Sequence, residues 1–420
     1  MRCCLVSIGS RGDVDPFIGL GQELARRGHQ VRLVVLEPWA GLVGEAGLEC
    51  HAVPLGAEAL WPASPLVWRA MVAQPGLMYA GMVRQLGRAA PTIATTTAEA
   101  GRDADLVVSG LVSSGAGQLL AADRHTNQDA NHGAAAATLL LGPLLPSRDP
   151  ARTVLGPRHV PGAVTAGVSQ AMWQMTRAMG HGQTRALQSL LGRGNRAPGT
   201  EHATPILVAT SPVLSPPEPG WPSGVEQVGR IAPTARTTSL PEDTAGWLAE
   251  HPGAVLMGFG SILRVDTEAD GQLFRDVARR AGRPLLLQDS RLPRGPVADA
   301  QGQPVWNQTG LDHRVLLPEL AAVVHHGGAG TTATALAAQC PSVVVPHLGD
   351  QSYYARRVQD LNVGSSPGPR WRTTTAGLAR ALDRALDDAV VGRCRSLGPR
   401  LQREDGAARA ADRLETLVSR

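Results

Sequence analysis

The chain has 420 residues, room for two or three domains of roughly 150 residues each. Hydrophobic residues make up 43% and charged residues 18%, which excludes an intrinsically disordered chain. The forty basic residues are all arginine and lie scattered among 36 acids, for a net charge of +4; no basic stripe of the kind nucleic-acid binding needs is present.

Residues 2–8 (RCCLVSI) predict a buried strand, too short for a signal peptide. A polar turn from Gly9 to Asp15 follows, and Pro16 suits the first turn of a helix that reaches about Arg27, with Gly28 as its stop. Val31 to Leu36 reads as a second strand, so the chain opens βαβ and predicts a parallel sheet. Trp61, Trp68, Met71, Met78, Tyr79 and Met82 form an apolar cluster, read equally as core or as the wall of an acceptor pocket. Asp105 to Ser109 is a later strand. Residues 123–132 (DRHTNQDANH) are polar where the pattern asks for another, and read as a loop with His125 and His132 solvated.

Leu214 to Pro222 is dense in proline and predicts an interdomain linker. A second α/β pattern begins after it, with strands expected at 254–259, 285–288, 321–325 and 342–345. The stretch from about Thr375 to Val418 is helical by its Leu and Ala spacing, and its end can cross back to the first domain. The expectation is an α/β fold of two doubly wound Rossmann-like domains facing a central cleft. Residues 1–213 form the first domain, 214–224 a linker and 225–420 the second domain. Five cysteines, widely spaced apart from the adjacent Cys3 and Cys4, show no metal spacing and suit a reduced, cytoplasmic protein, and no apolar run reaches the roughly 18 residues of a membrane span.

Four segments carry chemistry. Val324-His325-His326-Gly327-Gly328-Ala329-Gly330-Thr331-Thr332 follows a strand and opens a helix. Gly327, Gly328 and Gly330 let backbone N–H groups approach an anion, the helix N-terminus adds its positive end, and Thr331 and His326 offer further donors. That is a diphosphate cradle without metal or lysine; the plain alternative is a glycine-rich turn that tightens strand-to-helix packing. One βα unit later, Asp350 and Gln351 pair a carboxylate with an amide, which suits neighbouring sugar hydroxyls as well as a helix cap. Gly258-Phe259-Gly260-Ser261 ends the first strand after the linker and places Ser261 where it can reach a phosphate. In the N-terminal loop, Asp13 is either a helix cap or a general base for an acceptor hydroxyl. Asp15, directly before Pro16, supplies the cap and leaves Asp13 to chemistry.

Together GSRGDVDP, HHGGAGTT and PHLGDQSYYARRV resemble the glycosyltransferase family that includes the glycopeptide-antibiotic, macrolide and sterol glycosyltransferases. The resemblance implies the GT-B fold, a nucleotide sugar as donor (UDP or dTDP), a small-molecule acceptor, inversion at the anomeric carbon, and no cofactor or essential metal. It implies Asp13 as base and Ser10 near the donor phosphates. Ser261, His326, Gly327, Gly328, Gly330 and Thr331 would hold the diphosphate, and Asp350 and Gln351 the sugar. Two departures stand out: Tyr353 and Tyr354 follow the Asp-Gln pair where the family often has Trp or Phe, and the polar run 123–132 stands where a strand belongs. An epimerase or hydrolase on the same fold, or a non-catalytic partner that binds a nucleotide sugar, are the rival readings.

Overall fold

The structure is a computed structural model that describes residues 1–56, 75–127, 134–149, 152–153, 161–193, 204–218, 220–234, 239–260 and 267–419. The chain divides into two compact units, Met1–Thr234 with Asp405–Arg420, and Ala235–Glu404.

Seven strands build the sheet of the first unit: β1 (Arg2–Val6), β2 (Gln30–Leu36), β3 (Glu49–Val53), β4 (Leu106–Gly110), β5 (Ala135–Leu140), β6 (Ile206–Val208) and β7 (Val225–Gln227). Their order is β3-β2-β1-β4-β5-β6-β7 and every pairing is parallel. The apolar run of β1 is explained by burial on both faces. Cys3 and Leu5 pack with the helices Arg11–Arg26 and Gly406–Val418. Cys4 and Val6 pack with Pro75–Gly101, Ser114–Asn127 and His181–Leu190. The last helix therefore belongs to the first unit, where Arg27 meets Glu415 at 2.9 Å and His29 meets it at 2.7 Å.

The second unit repeats the plan. Its strands are β8 (Val255–Met257), β9 (Leu285–Leu287), β10 (Gly295–Pro296), β11 (Val305–Asn307), β12 (Ala322–His325), β13 (Ser342–Val344) and β14 (Gly364–Ser365), in the order β10-β11-β9-β8-β12-β13-β14. Only the β10–β11 edge pair is antiparallel. Val255 and Met257 face the core under the helices Thr267–Arg280 and Thr375–Ala385, while Leu256 faces the opposite core with Trp247 and Ala335. In each sheet the chain leaves the central strand in one direction and returns on its other side. The crevices where such folds bind ligands thus lie at the carboxyl ends of β1 and β4, and of β8 and β12.

Several expectations change. Val225–Gln227 does not open the second domain; it closes the first sheet, and the division falls after Thr234. The proline-rich stretch after Leu214 is not a linker in its described residues. Leu214 and Ser215 are buried, and Gln227 Nε2 donates to the carbonyl oxygens of Thr210 and Ser215 at 2.8 Å each. Proline denies a segment ladder hydrogen bonds, but side chains can pin it instead. Residues 123–127 end the helix Ser114–Asn127, and the strand the pattern asked for is β5, a few residues on. Its alanines are poor strand formers, and only close packing of helices on both faces favours them there. His132 lies outside the described residues, as do Trp61, Trp68 and Met71. Tyr79 donates its hydroxyl to the Met175 carbonyl at 2.9 Å.

Candidate active site

In the first unit, Ser10 caps the helix Arg11–Arg26, which starts a full turn before Pro16. Asp13 is the third helical residue. Its Oδ2 accepts from the Ser10 backbone N–H at 2.7 Å and from the Ser10 hydroxyl at 2.8 Å, the acidic half of a capping box. Ser7 donates to the Asp13 carbonyl at 2.8 Å, tying the strand end to the helix. A Cβ on Gly9 would stand 2.3 Å from Asp13 Oδ2, so this loop is shaped around the carboxylate. Burial pushes the Asp13 pKa up from its ordinary 3.8, and the two Ser10 hydrogen bonds hold it back. The expected division of labour is thereby overturned. Asp15 is not the cap; it lies inside the helix and pairs with Arg11 at 3.5 Å, while Asp13 is itself part of the cap. Its second oxygen, Oδ1, accepts none of these bonds, so capping and proton acceptance are compatible in one carboxylate. Ser10 commits its hydroxyl proton to Asp13.

In the second unit, β12 runs into His326-Gly327-Gly328, and Gly328 caps the helix Ala329–Ala337. The first amides of that helix lack intrahelical partners and face outward at its positive end. The His326 ring is fitted between two glycines from neighbouring strand ends. A Cβ on Gly260 would lie 3.2 Å from its Cε1, and one on Gly328 2.7 Å from its Nε2. Its Nδ1 is buried with no hydrogen bond to a described residue. Burial first, and His313 second, lower its pKa to about 4, so at neutral pH it is an uncharged donor rather than a cation.

Gly327 adopts φ +95°, and a Cβ there would strike Val344 Cγ1 at 2.5 Å; only glycine makes this turn. Its amide, however, donates to His325 Nδ1 at 3.1 Å. Gly327 therefore shapes the loop but does not offer its N–H to a diphosphate, as the sequence pattern had suggested. Gly330 opens onto empty space, and Thr331 is the third residue of the helix, its side chain half-buried. Ser261 lies outside the described residues, although Gly258 and Gly260 before it stand at the end of β8 beside β12.

Beyond β13, Gln351 Oε1 accepts from the backbone N–H groups of His347 (2.8 Å) and Leu348 (3.1 Å). Its carbonyl braces the loop, and only its Nε2 remains for a sugar hydroxyl. Asp350 precedes it at the cap position of the helix Gln351–Asp360. Tyr353 and Tyr354 are fully buried, so they serve the core. Two residues went unnoticed in the sequence. His347 packs its ring edge-on against Phe259 at 4.5 Å, donates Nδ1–H to the Val345 carbonyl at 2.9 Å, and is held to a pKa of about 3 mainly by burial. Gln288, at the end of β9, stands 3.2 Å from His313 Nε2. His347 sits inside the PHLGDQSYYARRV segment but was given no role of its own, and Gln288 sits in no motif; strand order brings the two to the same edge.

Comparison with known proteins gives a consistent result. Residues 3–110 match the glycosyltransferase family 28 N-terminal domain. Residues 310–408 match the C-terminal domain of erythromycin biosynthesis protein CIII-like proteins. The chain is 28% identical to O-mycaminosyltylonolide 6-deoxyallosyltransferase of Streptomyces fradiae, over 99% of this chain and 97% of that one. Against vancomycin aglycone glucosyltransferase of Amycolatopsis orientalis it is 37% identical, over 51% of this chain and 50% of the relative. Among solved structures, the glycosyltransferase VinC in complex with dTDP superposes with a TM-score of 0.67 at 19% identity, over the full length of both chains.

Proposed function

We propose that the chain is a GT-B glycosyltransferase that moves a sugar from a UDP- or dTDP-sugar to a hydroxyl of a lipophilic natural product, with inversion and without a metal; the two family-model matches and the two curated relatives support this. The observation that carries this reading is the His326 loop. At the switch point of the second sheet, two glycines are cut away around a neutral imidazole at the open end of a helix. Such a site suits a diphosphate, because amides and imidazole donate to its oxygens without needing a counter-charge. The dTDP bound to VinC supports a nucleoside diphosphate such as dTDP as the leaving group.

In this mechanism the acceptor hydroxyl gives its proton to Asp13 as its oxygen attacks the anomeric carbon. The bond from that carbon to the diphosphate oxygen breaks on the opposite face, and the electron pair leaves with the nucleotide. Negative charge then grows on the departing phosphate, where His326 Nε2 and the amides of Gly328, Ala329, Gly330 and Thr331 receive it. Gln351 Nε2 and Asp350 bind the sugar hydroxyls. The raised pKa of Asp13 makes it a better base than an ordinary aspartate. The O-mycaminosyltylonolide and vancomycin aglycone in the names of the two relatives support a natural product as acceptor.

Calorimetric titration with UDP, dTDP and GDP in EDTA tests the donor half. Binding of one nucleotide at micromolar concentration or better is expected, and binding that requires added divalent metal would overturn the metal-free mechanism. With the donor known, the anomeric configuration of the product, read by NMR, tests inversion.

A further inference from the structure

His325 ends β12 and is 2% exposed. Its Nδ1 accepts from Gly327 N–H, so with its pKa lowered well below 6.5, chiefly by burial, the ring is neutral and carries its proton on Nε2. That Nε2 is buried and bonds to no described residue. A histidine with an orphaned donor is a costly way to fill a core, where leucine would pack without polar atoms. What leucine lacks is the acceptor at Nδ1. The bond from a backbone N–H two residues on to a side-chain acceptor closes a turn like those asparagine and aspartate make. Here it fixes Gly327 at φ +95° and turns its amide inward, just before the extended cap residue Gly328.

We propose that His325 is a positioning residue. By holding the Gly327 amide away from the ligand, it sets the direction of the loop so that the amides from Gly328 to Thr331, and His326 Nε2, converge on the donor diphosphate. This rests on the proposed function and names the residue that tunes its donor affinity. Asparagine places Oδ1 close to where histidine has Nδ1, whereas glutamine places its oxygen one carbon further out. His325→Asn therefore keeps the brace, and His325→Gln and His325→Leu remove it.

The test has three readouts on the full-length protein: exchange of the Gly327 amide by NMR without nucleotide, calorimetric Kd for UDP and dTDP in EDTA, and Tm. For His325→Leu we expect Gly327 exchange to accelerate and Kd to rise about tenfold, the loss of one buried hydrogen bond, with Tm little changed. His325→Asn is expected to restore exchange protection and Kd to within about threefold of wild type, and His325→Gln to resemble leucine. Wild-type affinity in His325→Leu would overturn the proposal, and so would equal losses in the asparagine and glutamine variants, which would make His325 a packing residue. Should the leucine variant fail to fold, the asparagine–glutamine contrast decides alone. A wild-type protein that binds neither nucleotide would overturn the donor assignment and this affinity role with it. That outcome is recognised separately, because Gly327 exchange is read without ligand.

Discussion

The two sheets have the same strand order around their switch points, yet the two crevices are furnished with opposite chemistry. In the first unit the end of β1 holds a carboxylate, Asp13, gripped by the amide and hydroxyl of Ser10 and desolvated enough to raise its pKa. In the second, the ends of β8, β12 and β13 hold glycines around two neutral imidazoles, His326 and His347, both depressed by burial. In the proposed mechanism one crevice takes a proton and the other receives negative charge without supplying a full positive one. The same topology thus sets where a ligand goes, and a few loop residues set what the site does.

The comparison breaks most visibly at Asp13. Asp13→Asn keeps an oxygen for the Ser10 amide but cannot take a proton. Transfer is expected to fall by about 10²–10⁴, with nucleotide affinity and Tm nearly unchanged. Asp13→Ala should lose the cap as well, at about 1 kcal/mol of stability. Near-normal turnover in the asparagine variant would leave Asp13 a cap and nothing more.

The second crevice sharpens through a pair of glycines. An added Cβ at Gly328 meets His326 Nε2 at 2.7 Å, whereas one at Gly330 meets nothing. Gly328→Ala should weaken dTDP or UDP binding by about tenfold or more through loss of the imidazole and a displaced amide. Gly330→Ala adds no clash within the protein, so any loss of affinity it causes reports a ligand lying against it. Calorimetry on the two variants separates these cases, and wild-type affinity in both would remove the loop from the binding site.

Acidification should pull the two crevices in opposite directions. Asp13 titrates above 3.8 in the folded chain, so its contribution to stability is lost as pH rises through the interval from 3.8 to its raised pKa, while its service as a base is gained over that interval. The unfolded chain takes up protons on His326 and His347 below about 6.5 that the folded chain refuses until about 4 and 3. Their contribution is therefore present above 6.5 and lost as pH falls towards those values. Urea unfolding across this range should show stability rising with pH between about 4 and 6.5, with a shallower slope in His326→Gln. An unchanged slope in that variant would mean that His326 is solvated.

The smallest expected effect tests the cap itself. Asp15 makes a 3.5 Å pair with Arg11 and is partly exposed, so Asp15→Ala should change Tm by little, about 0.5 kcal/mol or less, and leave transfer intact. A loss near 1 kcal/mol would return the capping role to Asp15.

Much of this was legible from residue order. Three glycines after an apolar run and two histidines marked the second crevice, because glycine spacing at a strand-to-helix junction constrains the backbone locally. The apolar runs of β1 and of the strands near 255, 285, 322 and 342 gave two parallel sheets, because burial on both faces favours near-continuous apolar strands. Pro16 misled because proline is tolerated at more than one place in the first turns of a helix, and the cap went instead to Ser10, six residues earlier. β5 and β7 were hidden by alanines in one case and by proline-rich surroundings in the other. Their strand character comes from neighbours distant in sequence. Sequence by itself therefore determined the fold class and the positions of both crevices, since these follow from local periodicity and turn chemistry. Tertiary structure alone decided that Asp13 is at once cap and partly buried acid, that His326 is neutral between Gly260 and Gly328, and that the Gly327 amide points to His325. Each depends on burial and on hydrogen-bond direction, which chain order does not encode.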